Sequence, residues 1–338
     1  MHTQDGRPII AISSGDPAGI GPEITLKALA SEAVQRACAP VIVGSAAVVR
    51  RDLALVPARL ELRAVGSPTE VRGEPGTVEV LEMDGLDLAA CPRGEVSPEG
   101  GRFSGHSVGR AIGLAMQGAV HSVVVSPNNK QAMHAGGHEH TGFEEIARHY
   151  TGAKTSIQIL MGNKYVMSRV TNHVPLRKVP DLCTRERVLA AIRMLHKSLQ
   201  VIGHEAPVIG VAGLNPHCGE HGLMGDEEII HIGPACDDAR AAGIKVLGPL
   251  PGDTIFNDYE KFGLNAVLSM YHDHGNACMK MAEFGELVNF IGGLPVPVFT
   301  VSHGTAFDIA GKGIADATNM ELSIRAAARS QRVAAKAA

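Results

Sequence analysis

Residues 268–280 read Leu-Ser-Met-Tyr-His-Asp-His-Gly-Asn-Ala-Cys-Met-Lys. An apolar run gives way to a turn carrying His272, Asp273 and His274, with Lys280 a few positions on. Imidazoles supply neutral nitrogen ligands for a metal, or acid/base groups near neutral pH. Asp273 can act as ligand or base, and Lys280 can bind an anion or move a proton. His173 and His217 also stand directly after apolar runs, in Thr-Asn-His-Val-Pro (171–175) and Asn-Pro-His-Cys-Gly (215–219). In α/β proteins the exits of strands are where chemistry is placed. If these three exits share one sheet edge, His173, His217 and His272 converge as an open, catalytic type of metal site. Otherwise they are three separate loop histidines. A metal there would lower the pKa of a bound hydroxyl and stabilise an oxyanion formed later. Asp253 and Asp273 would complete its shell or take the proton.

Three further stretches look shaped for a ligand. Residues 13–23 pack Gly15, Gly19, Gly21, Pro17 and Pro22 behind the first apolar run, which makes either a backbone cradle or simply a tight strand-to-helix turn. In 137–145, His138 and His140 stand two residues apart, with Thr141 beside the second. They are ligand contacts or solvated loop residues. The 303–316 stretch reads His-Gly-Thr-Ala-Phe-Asp-Ile-Ala-Gly-Lys-Gly-Ile-Ala-Asp. Its glycines allow close backbone approach to a ligand, and Asp308 can accept ribose-type hydroxyls. No GxGxxG follows the first strand, so a nucleotide site must be built differently from the standard Rossmann one.

These exits need strands to hold them. Apolar runs predict strands at 8–12, 41–44, 122–125, 155–161, 166–170, 207–212, 244–247, 264–270 and 295–301, with shorter pieces at 60–62 and 78–81. Helices are expected from 22 through 29, over 107–119, over 184–199 with Thr184 as N-cap, over 226–242, and at the end of the chain. Strands alternating with helices imply an α/β architecture.

Composition narrows the class. The chain has 338 residues, enough for two domains or one large α/β unit. Its net charge is −4 with acids and bases interleaved, so no nucleic-acid or membrane footprint is expected. It has no Trp and only 4% aromatics, which argues against stacking platforms for bases. The six cysteines are scattered without a CxxC pair, so neither a zinc ribbon nor a disulfide framework is suggested. The N-terminus is polar, and no stretch reaches about 18 uninterrupted apolar residues. A reducing, cytoplasmic enzyme is expected.

The 303–315 stretch resembles the adenosine-binding loop of the isocitrate and isopropylmalate dehydrogenase superfamily. With Gly-Asp-Pro-Ala-Gly-Ile-Gly-Pro-Glu (15–23), Leu-Asn-Pro-His (214–217), Gly-Pro-Leu-Pro-Gly-Asp-Thr (248–254) and Tyr-His-Asp (271–273), the chain resembles the 4-hydroxythreonine-4-phosphate dehydrogenase (PdxA) family from about residue 8 to 325. The resemblance implies a two-domain α/β fold with a central cleft. The nucleotide-binding domain is expected over 1–128 plus 285–338, and the substrate, metal and dimerisation domain over 129–284. It implies a homodimer with active sites at the subunit interface. NAD or NADP is the implied oxidant, with one divalent metal (Zn, Mg, Mn or Co) on His173, His217 and His272. The family's substrate contacts match His140, Thr141, Lys280 and Asn289. Lys280, Asp253 and Asp273 are the expected catalytic residues, and His303, Gly304, Thr305, Ala306, Asp308 and Gly311 the cofactor contacts. The implied reaction oxidises a secondary alcohol β to a carboxylate, and the β-keto acid then loses CO2.

The chain also departs from the family pattern. The family's substrate-contacting Arg aligns with Val298, and an Asp near it is Ser302. Gly-His-Thr-Glu becomes Glu139-His140-Thr141-Gly142, and the Gln after His-Asp becomes His274. Residues 291–293 and 308–318 resemble members that oxidise cis-dihydrodiol carboxylates, such as terephthalate dihydrodiol dehydrogenase. The substrate is therefore expected to be 4-hydroxythreonine-4-phosphate, a related phospho-sugar acid, or an unphosphorylated dihydrodiol acid. Outside the family, a metal-dependent hydrolase using the same histidines would turn over without NAD.

Overall fold

The computed structural model describes residues 2–331. They form two compact units, one from residues 2–154 with 294–331 and one from Thr155–Gly293.

The chain begins in the first unit. Strands β1 (Ile9–Ser13), β2 (Ala39–Gly44), β3 (Glu61–Val65), β4 (Thr77–Glu82) and β5 (Ser122–Val125) alternate with helices α1 (Gly21–Leu29), α2 (Glu32–Ala37), α3 (Ala46–Asp52) and α4 (Pro98–Met116). Helices α5 (Lys130–Ala135) and α6 (Phe143–Thr151) follow. The second unit contributes β6 (Ile157–Met161), β7 (Val166–Arg169), α7 (Val179–Leu182), α8 (Arg185–Val201), β8 (Val208–Ala212), α9 (Gly233–Ala241), β9 (Lys245–Leu250), β10 (Ala266–Ser269), α10 (His272–Glu283) and β11 (Val288–Gly292). The chain then returns to the first unit for β12 (Val298–Thr300) and α11 (Thr318–Arg329).

The first unit's strands run in the order β3-β4-β2-β1-β5-β12, all parallel. Every residue of β1 is buried, as expected for a central strand covered on both faces. The second unit's order is β11-β6-β7-β10-β8-β9. There β7, β10, β8 and β9 are parallel, while β6 runs antiparallel to both β7 and β11. Met167, Ala212, Val267, Phe256, Tyr259 and Met279 belong to one buried cluster of this unit.

Several elements differ from the sequence expectation. The stretch from His272 is the first turn of α10, not a loop. Gly275 and Asn276 read as turn residues, but Asp273 suits the positive end of a helix, and Gly275 is buried where a Cβ would strike Met167 and Ser269. Helix α4 starts at Pro98, well before 107. Ser97 accepts a hydrogen bond from the Gly100 amide, and Pro98 occupies the first turn. Its early glycines hid it, yet Gly101 and Gly136 are where the backbones of α4 and the α5 end approach too closely for a Cβ. The polar segment 126–145 contains α5 and the start of α6. Residues 228–232 form a π turn ahead of α9. The division expected at 128/129 and 284/285 differs from the compact units, because α5 and α6 pack on α4 while β11 pairs with β6.

Candidate functional site

The three histidines leave parallel strands of one sheet. His173 follows β7, His217 follows β8 and His272 follows β10, and these strands are neighbours in the order β7-β10-β8. Their C-terminal ends therefore share one edge of the second unit. Thr171 ties two exits together, since its amide and hydroxyl both donate to the Met270 carbonyl, at 3.0 and 2.9 Å. The His173 and His272 rings lie 5.5 Å apart. His272 Nδ1 is 2.7 Å from the Asp273 carboxylate, and its Nε2 is 2.9 Å from the Asn276 side-chain amide.

The β8 exit is held differently. The buried Glu228 carboxylate accepts from the amides of Leu214 and Asn215, both at 2.7 Å, and from the Asn215 side chain. From His217 to His221, five successive residues have left-handed backbone with φ between 43° and 79°. Only Gly219 adopts this conformation cheaply, so the other four carry strain. Such strain accumulates where a segment's position matters more than its comfort.

Asp253, at the β9 exit, is exposed and close enough to act electrostatically on Cys218 and His274. His274 lies over Gly252, where a Cβ would meet its ring, and stacks on Tyr271 with ring centroids 5.3 Å apart. Burial pushes its pKa down, so this ring favours the neutral form. Lys280 is exposed on α10, and Asn289 is buried in β11.

The donors fit a divalent cation in chemistry. A His whose Nδ1 meets a carboxylate is a usual ligand arrangement, and here the Asn276 amide occupies the Nε2 that a cation would take. The geometry gathers His173 and His272. Among the described residues no group of three or more His, Cys, Asp or Glu is drawn together tightly enough to hold a metal, so His217 does not complete the set here.

In the first unit, the 303–316 loop is clamped by α1. Lys27 Nζ donates to the carbonyls of Gly313 and Ala315, at 2.9 and 2.8 Å, and to Glu23 at 2.8 Å. Glu23 accepts from the Ala315 amide at 2.9 Å. The Ile20 amide donates to the Thr305 carbonyl at 3.0 Å, and a Cβ at Gly19 would fall 2.8 Å from that of Thr305. The turn of residues 14–21 and the 303–316 loop thus meet as one backbone surface. Thr305 is buried, Ala306 is left-handed at φ 40°, and His303 and Asp308 are exposed. Asp16 is fully buried in that turn, with one carboxylate oxygen accepting from the Ala18 amide and the other lacking a protein partner.

His140 and Thr141 lie ahead of α6. The His140 and His149 rings are 4.8 Å apart, and both line a cavity of about 260 Å³ with His138, Ile146 and Tyr150. Val298 is fully buried within β12 and paired with Val123, so its side chain belongs to the core. Sequence reasoning missed Gln158, Arg169 and Asn276, which hydrogen-bond around His272 and Asn289. A Gln inside the otherwise apolar β6 and an Arg closing the short β7 were the available signal.

Two α/β units, with polar groups gathered at the C-terminal edges of parallel strands and a clamped glycine loop in place of a GxGxxG turn, define a dehydrogenase-like class. A family model described as pyridoxal phosphate biosynthetic protein PdxA matches residues 36–327. The D-threonate 4-phosphate dehydrogenase of Pectobacterium atrosepticum is 38% identical over 320 residues, 94% of this chain and 98% of that protein. The crystal structure of 4-hydroxythreonine-4-phosphate dehydrogenase from Klebsiella pneumoniae superposes with a TM-score of 0.87 at 39% identity, covering 95% of this chain and 98% of that one. A terephthalate 1,2-cis-dihydrodiol dehydrogenase from Burkholderia xenovorans gives a TM-score of 0.70 at 29% identity, covering 97% and 99%. The chain belongs to the PdxA family. No described helix is long and apolar enough to cross a membrane.

Proposed function

We propose that this PdxA-family oxidoreductase oxidises the secondary alcohol of a phosphorylated hydroxy acid, β to its carboxylate, and that the β-keto acid then loses CO2. A hydride passes from the carbinol carbon to NAD or NADP, and the hydroxyl proton leaves to a base. The observation that carries this reading is the shared strand edge bearing His173, His217 and His272. A divalent cation (zinc, magnesium, manganese or cobalt) on these three would polarise the alcohol oxygen and offset the charge of the enolate left by CO2. Asp273 orients His272 through its Nδ1 contact. Asp253, at the neighbouring exit, takes the hydroxyl proton or orients the group that does. Lys280 binds the carboxylate or protonates the enolate carbon. His140, Thr141 and Asn289 are the remaining substrate contacts. His303, Gly304, Thr305, Ala306, Asp308 and Gly311 form the nicotinamide cofactor surface. The chain acts as a homodimer with its active site at the subunit interface.

Two relatives named for phosphorylated four-carbon substrates support the phosphorylated reading. A cis-dihydrodiol acid is the second reading, favoured by the core position of Val298. Nicotinamide reduction is followed with 4-hydroxythreonine-4-phosphate, D-threonate 4-phosphate and a terephthalate-type dihydrodiol, each with and without a chelator. Chelator-sensitive turnover of a phosphorylated substrate is expected. Turnover of the dihydrodiol alone would replace the first reading with the second, and chelator-insensitive turnover would remove the histidine site.

A further inference from the structure

Helix α4 carries Gly101, Gly105, Gly109 and Gly113, four residues apart and so on one face. The backbone at the end of α5 closes on Gly101. A Cβ at Gly105 would strike the His138 ring, and one at Gly109 would strike the Tyr150 ring. At Gly113 a Cβ would meet nothing within 4 Å. His138 is held here at several points. Its Nε2 donates to the Arg102 carbonyl of α4 at 3.0 Å, and its backbone amide donates to the Met133 carbonyl at 3.0 Å. Its ring stands edge-on to His106, with centroids 5.1 Å apart. Tyr150 meets the His149 ring at 5.0 Å, and His149 meets the His140 ring at 4.8 Å.

We propose that His138 is a positioning residue: seated on Gly105, it sets where His140 stands, and so how His140 and Thr141 meet the substrate. The proposal rests on the functional reading above for what those two residues do. Only Glu139, His140 and Thr141 lie between His138 and Gly142. Gly142 is fixed at its own end, where its carbonyl accepts from the Ile146 amide at 2.9 Å and its amide donates to the Glu145 carboxylate at 3.3 Å. A three-residue link between two fixed ends reaches only on the order of 10 Å and has few arrangements open to it. From the other side the His140 ring rests on His149, whose neighbour Tyr150 is seated on Gly109, one turn along α4 from Gly105. Both supports therefore trace to one helix face. Interior glycine weakens a helix. Here it lets two rings lie against the α4 backbone, and a methyl at Gly105 or Gly109 would lift its ring away. Loops that carry ligand contacts are otherwise the more mobile parts of a fold.

Substrate KM, nicotinamide KM and kcat are measured for Gly105→Ala, His138→Ala, the double variant and Gly113→Ala. Gly105→Ala and His138→Ala are each expected to raise KM for 4-hydroxythreonine-4-phosphate about tenfold, the scale of one misplaced hydrogen bond to a charged group, with kcat within about twofold and the nicotinamide KM unchanged. The double variant is expected to match either single one, because both changes break the same contact. Gly113→Ala places its methyl in open space and is expected to behave as wild type. The proposal is overturned by an unchanged substrate KM in folded His138→Ala, or by an equal rise in the nicotinamide KM. A double variant whose KM rises by the product of the single effects, or an equal rise in Gly113→Ala, overturns it too. His138→Ala adds no bulk to α4, so it decides the matter if Gly105→Ala does not fold. A second readout needs no turnover. In nitrogen-proton correlation spectra the His140 ring signals are expected to move in Gly105→Ala and His138→Ala and to stay in Gly113→Ala. An unmoved His140 ring in the first two overturns the seat. If wild type oxidises no substrate offered, the functional reading fails while these spectra still decide whether His138 places His140.

Discussion

Asp16 is costly where it stands. Burial drives its carboxyl up to about 6 from the usual 3.8, against the Ala18 amide that pulls the other way. Below about pH 4 the group is protonated in both folded and unfolded chains and contributes nothing. As pH rises toward 6 the unfolded chain releases its proton while the folded chain keeps it, so stability falls. Above pH 6 the penalty is constant, about 3 kcal/mol at most. Asp16→Asn is expected to raise Tm at pH 8 by more than at pH 5. An equal gain at both, or none, would show that the carboxyl is not the source. Residues of this kind were partly legible in the sequence. Each candidate metal-ligating histidine stood after an apolar run, at the exit of a strand. Arg169 and Gln158 were not legible as a pair, because their meaning comes from a cross-strand contact between β6 and β7 that neither run displays alone.

At the scale of elements, α1 does more than cover the sheet. Its Glu23–Lys27 pair holds two carbonyls and one amide of the 303–316 loop. Lys27→Met strips the buried Glu23 of its cation and frees Gly313 and Ala315. Losing one partner of such a pair costs about 3 kcal/mol. Thermal melts should show that loss, and KM for the nicotinamide should rise about tenfold with the hydroxy-acid KM unchanged. An unaltered cofactor KM would mean the loop needs no clamp. The buried parallel strands were readable because a strand covered on both faces must be continuously apolar. Helices α4, α5 and α10 were hidden by glycine and polar residues at their starts. Glycine weakens a helix locally, but here close backbone packing of α4 against the end of α5 leaves no room for anything larger.

For the whole molecule, the return of the chain to its first unit was expected from the family resemblance, while the packing of α5 and α6 on α4 set where the chain leaves. The end of α10 leaves Met281 90% and Phe284 82% exposed just beyond Lys280. Scattered apolar residues are ordinary on a surface, but two so open beside a candidate catalytic lysine suit a covered face. Phe284→Glu is expected to shift sedimentation from dimer to monomer and abolish turnover. An active wild-type monomer at micromolar concentration would dispose of the interface.

The first unit is written in two pieces around the second. During synthesis β5 emerges early, yet its neighbour β12 is made only after every residue of Thr155–Gly293 has been translated. The inserted unit is a single run of chain and can close as soon as it is complete. The outer one must wait with an open strand edge beside β5, and its sheet is finished by residues translated after the whole inserted unit.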